Sequence, residues 1–424
     1  MSHGAEKGST ALLRCAKPVL LLVFFLYLGV FSPALLHADE FRLLPSIAEK
    51  FEYNDNIFVA PNTAPAYEKV HDFISTTSGG LHLLANTETL NVDFTGRVDQ
   101  LFYLENPSFN STDQFYKASL GYTVSPKLSF SLRGEYDRDS RPDRDLYTSG
   151  MVVSASRREY STEGFTANYA LTDKTLSSLS YDHGEYWYRS SHFVDMTYDA
   201  ANLSFVRDLT DFLNNTKGRL NLGYMRYDFT GLTVNNYEAT TGFEYALHEK
   251  WTFIVDGGAR YTESAFQALQ IVGVLGPYVF VSSQNVTSTG TAPIGTAMLT
   301  YKGESTTANF KASRDIMPAY GALGTVERTA LTFGIDRRFT YELSGFFHGG
   351  YFTNISKGGQ YAGTAIDYES WFATPGIRYE FSKNMYLEGS YTFVSIENKA
   401  AAPVTMASRN QLMLRFFVQH AIME

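Results

Sequence analysis

Between residues 329 and 352 the chain alternates twice between apolar and polar positions. Leu331, Phe333 and Ile335 stand against Thr332, Gly334 and Asp336. After a break at 337–340, Tyr341, Leu343, Gly345, Phe347, Gly349 and Tyr351 stand against Glu342, Ser344, Phe346, His348, Gly350 and Phe352. A period of two marks strands with one apolar face, so the stretch reads as a β-hairpin. The same unit recurs along nearly the whole chain, with no amphipathic segment of helix length between repeats. The repetition predicts about eighteen strands (roughly sixteen to eighteen), most of them longer than the roughly 9 to 11 residues a tilted strand needs to cross a bilayer.

The connections fall into two alternating classes. One is short, at 85–87, 125–126, 171–173, 249, 303, 340 and 382–383, with 208–216 its longest member. The other is mostly long, at 60–69, 140–156, 264–290, 315–324, 353–365 and 397–406. Short periplasmic turns and longer outer loops are what bacterial membrane barrels show. The fold class that follows is all-β: a transmembrane antiparallel outer-membrane β-barrel.

The first residues fit export. Arg14 and Lys17 precede an uncharged, mostly Leu, Val and Phe run over 19–30, followed by small residues and Ala38. This is the layout of a secretory signal peptide, too short to span a bilayer comfortably as a helix. The expected division is a signal peptide over 1–38 and a barrel over 39–424. Cleavage would remove Lys7, Arg14, Lys17 and Glu6, taking the formal charge from −9 to −11, and with them Cys15, the only cysteine. An exported chain without cysteine gains nothing from disulfides and depends on backbone pairing and burial.

Composition narrows the class further. Mean hydropathy is near zero and aromatic residues make up 15% of the chain, with 29 Tyr and 32 Phe, yet no long apolar run follows Val30. That suits a barrel whose lipid-facing and lumen-facing residues alternate and whose rings gather at the two interfaces. The acidic balance speaks against nucleic acid as a partner. Trp251, Tyr301, Tyr341, Phe339, Phe381 and Tyr386 lie beside short turns; Tyr186, Trp187, Tyr188, Tyr227, Phe229, Tyr261, Tyr351 and Trp371 lie at long-loop ends.

Lipid-facing rows are expected at Leu90, Val92, Phe94 and Val98; Leu128, Phe130, Leu132 and Tyr136; Trp251, Phe253, Val255 and Tyr261; and Leu412, Leu414, Phe416 and Val418. The intervening positions place Asp93, Arg97, Asp99, Arg133, Glu135, Asp256, Arg260, Lys311, Glu342, Arg378, Glu380, Glu388 and Arg415 in the interior as pore-lining candidates. A basic residue on the lipid face at mid-membrane costs about 2 to 4 kcal/mol, and an acidic one less, so a hydrated interior is the cheaper location. The candidates carry both signs and form no long arginine ladder.

Glu52, Tyr53, Asn54, Asp55, Asn56, Ile57 and Phe58, preceded by Leu44, Pro45 and Ser46, resemble the start of the beta-barrel porin 2 family of Gram-negative outer membranes. The resemblance covers the chain in architecture, while sharp motif similarity is confined to this stretch. It implies a place at exopolysaccharide or capsule loci, polysaccharide as substrate, and a periplasmic polysaccharide-export protein as partner, for which 208–216 is the candidate contact. From the residues themselves, Asn54, Asp55 and Asn56 also read as a bend ending the first strand.

Other features stay open at this point. The charged run 137–145, with Asp137, Arg138, Asp139, Arg141, Asp143, Arg144 and Asp145, reads as a self-paired or solvated loop, with contact to glycan or lipopolysaccharide as the alternative. It lacks the glycine and terminal glutamate of a calcium loop. The apolar connection 264–290 reads as an inward constriction or plug, as an extension of its flanking strands beyond the membrane, or as a segment packed on neighbouring loops. Asp182, His183, Ser191, His192 and Asp195 would have to converge for catalysis, and no nucleophile context supports that. No nucleotide-binding motif or cofactor signature is present. Phe416 and Phe417 lie inside the final residue, where the outer-membrane insertion machinery commonly reads an aromatic, so either the signal sits slightly inward or a tail overhangs. The expected function is passage of polysaccharide across the outer membrane, with a general or sugar-selective diffusion porin as the alternative and a plugged structural barrel as a third reading.

Overall fold

The computed structural model describes residues 40–62, 69–141, 144–151, 157–190, 193–275 and 278–422. The reading of 1–38 as a leader lies outside them, as do Ser191 and His192.

Eighteen strands account for most of the described chain. They are β1 (Glu40–Asn54), β2 (Asp72–Asn86), β3 (Leu90–Tyr103), β4 (Ser111–Ser125), β5 (Leu128–Asp139) and β6 (Arg158–Thr172). Next come β7 (Thr175–Tyr188), β8 (Met196–Asp208), β9 (Thr216–Phe229), β10 (Leu232–His248), β11 (Trp251–Leu275) and β12 (Tyr278–Lys302). The last are β13 (Thr306–Pro318), β14 (Thr325–Arg338), β15 (Leu343–Ser356), β16 (Ile366–Ser382), β17 (Met385–Asn398) and β18 (Thr405–Gln419). Each strand pairs antiparallel with its neighbours in sequence, and β1 pairs with β18 from Ser46↔Gln419 to Asn54↔Gln411, which closes the ring. Closure leaves no unpaired sheet edge to satisfy inside a bilayer. Beyond Gln419 the chain stays on β1, with His420 N donating to Pro45 O at 3.0 Å and Ile422 N to Leu43 O at 2.9 Å, so no free tail overhangs there.

The alternation seen in sequence becomes two surfaces. Outward rows carry Ile47, Phe51, Phe73, Leu132, Leu179, Leu222, Phe333, Ile377 and Leu412, all exposed. In water such a band would be a liability; against lipid it is the burying face. Toward the long-loop end, Phe165, Tyr181, Tyr224, Tyr237 and Tyr261 form a nearly continuous aromatic row on this surface. Their phenols donate one step further toward the rim: Tyr181 Oη to Asp199 Oδ1 at 2.6 Å, Tyr224 Oη to Asn235 Oδ1 at 3.0 Å and Tyr261 Oη to Glu263 Oε1 at 3.0 Å. On β17, Tyr391 Oη does the same to Asn410 Oδ1 at 2.6 Å. An apolar ring with a polar tip is the side chain that an apolar-to-polar boundary favours.

The connection 264–290 is the extension, not the constriction. β11 and β12 pair from Trp251↔Tyr301 to Leu275↔Tyr278, with one register shift between Ile271 and Gly273. β10 accompanies β11 only as far as Leu232↔Phe266, and β13 accompanies β12 only to Gly295↔Arg314, so the hairpin continues alone past its neighbours. Its two arms satisfy each other's backbone groups, which gives them no reason to fold into the lumen.

The family-like stretch at the end of β1 is a tied bend. β1 stops at Asn54, and Asn56 N bonds to Asn54 Oδ1 at 3.0 Å. The fully buried Asn56 side chain reaches Ala60 O and Ser408 O, both at 3.0 Å, and accepts from Ala60 N at 2.8 Å. Asp55 takes the backbone and side-chain nitrogens of Asn410, each at 2.7 Å. The bend thereby fixes the mouth of the barrel across the β1–β18 seam and places Ile57 in a small cluster with Ile74, Leu101 and Tyr103.

Candidate functional site

The long-loop third of the lumen is crossed by a segment of the chain. From Asp139 at the end of β5 to Met151, the described residues of the connection leave the wall and reach the inner faces of β15, β16, β17, β18 and β1, on another side of the ring. A charged segment in a water-filled bore is held by ion pairs and hydrogen bonds with the wall, and the alternating charges of this run supply them. Arg141 meets Glu52 of β1 fork to fork, Nη1 to Oε2 at 3.1 Å and Nη2 to Oε1 at 2.9 Å, and Lys50 Nζ reaches the same carboxylate at 3.0 Å. The Glu52 side chain is fully buried beneath them. Ser140 Oγ donates to Asp113 of β4 at 2.9 Å.

Within the segment, Arg144 Nη1 bonds to Asp139 Oδ1 and to Arg141 O, both at 3.0 Å. Arg158 of β6 reaches Asp145 Oδ1 at 2.8 Å and Asp139 Oδ2 at 3.4 Å, with its guanidinium over Tyr160 and Tyr186. The run is therefore paired both with itself and with the barrel wall.

A single helical turn, Leu146–Ser149, carries the far end of the crossing. Leu146 is 1% exposed among Val59, Val394, Ile396 and Ala407, and the Tyr147 ring stands edge-on to Phe372 at 5.0 Å. Arg409 Nη2 donates to Tyr147 Oη at 2.7 Å, and Asn354 Nδ2 to Ser149 O at 2.8 Å. The turn ends at Gly150, whose φ of +68° is left-handed and where a Cβ would lie 2.5 Å from Phe352 Cβ and 2.3 Å from Ser370 Oγ. Only glycine fits there without displacement.

Two further loops pack at the same level. Tyr320, in the β13–β14 connection, lies against Tyr186 at 5.5 Å, and burial holds its phenol above the usual range and so neutral. The β15–β16 connection bonds to it through Thr325 N to Tyr361 O at 2.8 Å and Gly363 N to Leu323 O at 3.1 Å. Met151 joins both loops in a cluster with Ala319, Val326, Ala362 and Ile366.

Two chambers lie along the lumen wall. One, of about 340 Å³, lies against the inner faces of β1–β4, β17 and β18 beneath Arg141, Arg144 and Tyr147. The other, of about 640 Å³, lies against β3–β9, where Lys117 Nζ meets Glu135 at 2.6 Å and Arg133 Nε meets Asp182 at 3.0 Å.

The pore-lining candidates distribute as follows. Arg97 and Asp99 line the smaller chamber, and Asp93, Arg133 and Glu135 the larger. Asp93 also meets His82 at 3.1 Å. Asp256 accepts from Arg219 Nε at 3.0 Å, and the nearly buried Arg260 donates to Glu327 at 2.8 Å. Arg378 Nε and Glu388 pair at 2.9 Å, and Glu380 lines a cavity at the short-turn rim. Arg415 lies over the rings of Tyr386 and Phe417, and Lys311 sits exposed on β13 in the row of Asn309 and Ser313.

Glu342 is a correction. β15 begins at Leu343, and Glu342 lies in the preceding turn, where Thr340 Oγ1 donates to its carboxylate at 3.1 Å. The alternation continued past the strand's true end because turn residues there happen to keep the period.

Asp182 and His183, weighed for catalysis, are adjacent on β7 and so project to opposite faces, Asp182 to Arg133 inside and His183 to Asp199 outside at 2.9 Å. The longest short-side connection, weighed as a partner contact, presents Phe212 and Leu213 to solvent. Arg158, Arg328 and Arg409 were not singled out by sequence, although each falls on an inward row of its strand. Parity alone could have found them.

No family model matches the chain, and no curated protein matches it in sequence. Several solved structures resemble it in shape. OccAB4 of Acinetobacter baumannii is 10% identical, covers 92% of this chain and 100% of its own, and superposes with a TM-score of 0.44. OccK3 (OpdO) of Pseudomonas aeruginosa is 10% identical, covers 91% and 97%, and gives 0.43. The copper transporter OprC is 13% identical, covers 86% of this chain but 63% of its own, and gives 0.46.

Proposed function

We propose that this chain is an outer-membrane channel through which small polar solutes diffuse, with selectivity set by the segment that crosses its lumen. The observation that carries the reading is the Arg141–Glu52 fork, together with the Tyr147 and Ser149 contacts that hold the described residues 139–141 and 144–151 across the bore. A closed barrel with a lipid-compatible outer surface and a charged, hydrated interior is built to conduct, and a narrowing in that interior sorts solutes by size and charge. The leader-like sequence and the two classes of connection favour the outer membrane, with the long loops outside.

The role implied by the family resemblance, export of a polymer, is replaced here by passage of small solutes. An extended polysaccharide needs a continuous bore, whereas the crossing segment is docked against the wall by buried ion pairs and apolar contacts. Transport through such a channel is passive and needs no energy source.

Reconstitution of the purified chain into planar bilayers and liposomes tests the reading. Stable unit conductance in KCl, with swelling rates that fall steeply from monosaccharides to oligosaccharides, is the expected result. A barrel that folds but carries no current would overturn it. So would loss of surface polysaccharide from cells lacking the chain, combined with unhindered oligosaccharide passage in liposomes.

A further inference from the structure

A further cavity, of about 340 Å³, lies at the long-loop rim along the tops of β3 to β7. The β3–β4 connection lines it with Phe109 and Asn110, and Arg157 before β6 and Arg189 after β7 supply its charge. That charge is one-sided. The two lumen chambers and the cavity around Glu380 mix acids with bases, whereas the described lining of this one holds two guanidinium groups and no carboxylate.

The backbone brings the two arginines together. Arg189 N donates to Arg157 O at 3.0 Å, which continues the β6–β7 ladder one rung past Arg158↔Tyr188. Arg189 is exposed, and its guanidinium makes no hydrogen bond or ion pair with any described residue. Burial lowers the Arg157 guanidinium below its usual range, and the charges of Arg138 and Arg189 lower it further, outweighing Asp113 and Glu159. The rim is thus locally short of negative charge, in a chain whose formal charge is −9. Asn110 adds a neutral donor: its Oδ1 accepts from Tyr103 N at 2.7 Å, which fixes the amide and leaves its nitrogen to donate. Beside these groups stands an aromatic wall, with Phe58 edge-on to Phe109 at 4.9 Å and Tyr103 edge-on to Phe109 at 6.0 Å.

A carboxylate offers two oxygens, which a single guanidinium fork already fills. Two guanidiniums and an amide match a group with three terminal oxygens and close to two negative charges, which is a phosphomonoester. The volume is at the lower end of small-molecule sites and more than a bare phosphate fills, and the rings offer apolar faces to whatever carries it. We infer that this rim cavity binds a phosphomonoester carried on a sugar, with the phosphate between Arg157 and Arg189 and the sugar against Phe58 and Phe109. The inference does not depend on the channel reading. Two sources share the chemistry: a glycolipid of the surrounding leaflet with a phosphorylated sugar, and a free sugar phosphate.

Calorimetry on the full detergent-solubilised chain tests it, with D-glucose 1-phosphate, D-glucose, D-glucuronate and inorganic phosphate as probes. Saturable binding of glucose 1-phosphate is expected, with glucose and glucuronate weaker by about tenfold or more, the scale of one lost charged hydrogen bond. Arg189→Gln should weaken glucose 1-phosphate by a similar factor. Arg157→Gln makes the same comparison should Arg189→Gln not fold, with circular dichroism as the check. Phe109→Ala should weaken glucose 1-phosphate but not inorganic phosphate. The source is read by repeating the titration in phosphatidylethanolamine vesicles with and without a glycolipid bearing a phosphorylated glucosamine. Loss of glucose 1-phosphate binding in its presence supports the inference with the lipid as occupant, and unchanged binding supports it with the free sugar phosphate. Glucuronate binding as tight as that of glucose 1-phosphate, binding indifferent to both arginine substitutions, or no saturable binding would overturn it.

Discussion

Arg141 and Glu52, 89 positions apart in sequence, face each other fork to fork across the mouth of the barrel, with both guanidinium nitrogens within 3.1 Å of the carboxylate oxygens. Removing Arg141 leaves the fully buried Glu52 carboxylate to Lys50 and forfeits a charge-assisted pair worth about 1.5 to 3 kcal/mol. Arg141→Ala should therefore loosen the crossing segment and raise unit conductance in planar bilayers. A double-mutant cycle with Glu52→Gln should show strongly non-additive conductance changes, because both substitutions release the same contact.

Gly150 offers a second release point that changes no charge. Gly150→Ala must place a methyl where Phe352 and Ser370 already stand, in a left-handed backbone conformation. Strain of about 1 kcal/mol or more from the backbone adds to the clash. The expected result is raised conductance with unchanged strand content by circular dichroism. Unaltered conductance would mean that the far end of the crossing does not limit flow.

Truncating the β11–β12 hairpin should have no such effect. Past Phe266 and Gly295 the two arms pair only with each other. Replacing 267–285 by a short turn preserves every pairing that closes the ring, so heat-resistant folding and KCl conductance should match those of the full chain. A large rise in conductance would return this hairpin to the role of a constriction.

The alternation was readable because water inside and lipid outside impose a period of two on every strand at once, so even approximate boundaries give the right number of strands. The crossing segment escapes that logic. Its conformation is set by partners far away in sequence, Glu52 for Arg141 and Gln411 for Tyr147, separations of 89 and 264 residues. The apolar stretch 264–290 was one candidate for an inward loop, but in a hydrated bore a segment is anchored mainly by charge, and Arg141, Arg144 and Asp145 of the charged run are the residues that enter. The inward arginines at 158, 328 and 409 needed only the parity of their strands.

Glu49 is a charged residue on the outer surface. It projects outward on β1 beside Ile47 and Phe51, its carboxylate held by Ser75 Oγ at 2.6 Å and Thr77 Oγ1 at 2.7 Å. An acidic residue among lipid-facing apolar ones costs up to about 2 kcal/mol. Glu49→Leu should thus shift the urea midpoint for folding into lipid vesicles upward, while Ser75→Ala, which removes one of the carboxylate's two hydrogen bonds, should shift it downward. A downward shift for Glu49→Leu would mean that a polar partner, not lipid, covers this face.

The seam between β1 and β18 joins the earliest described strand to the last one, through nine residue pairs more than 350 positions apart. Every other seam can zip from a local turn, but this one waits for the final strand to be synthesised. Until then the growing sheet carries two open edges, one on β1 and one on whichever strand came last, and each is a template for pairing with another chain. The barrel's most distant pairing is therefore also its latest and entropically most demanding. Loss of a few residues near the C-terminus would be felt first as aggregation of the unclosed sheet, before any change in the barrel's interior.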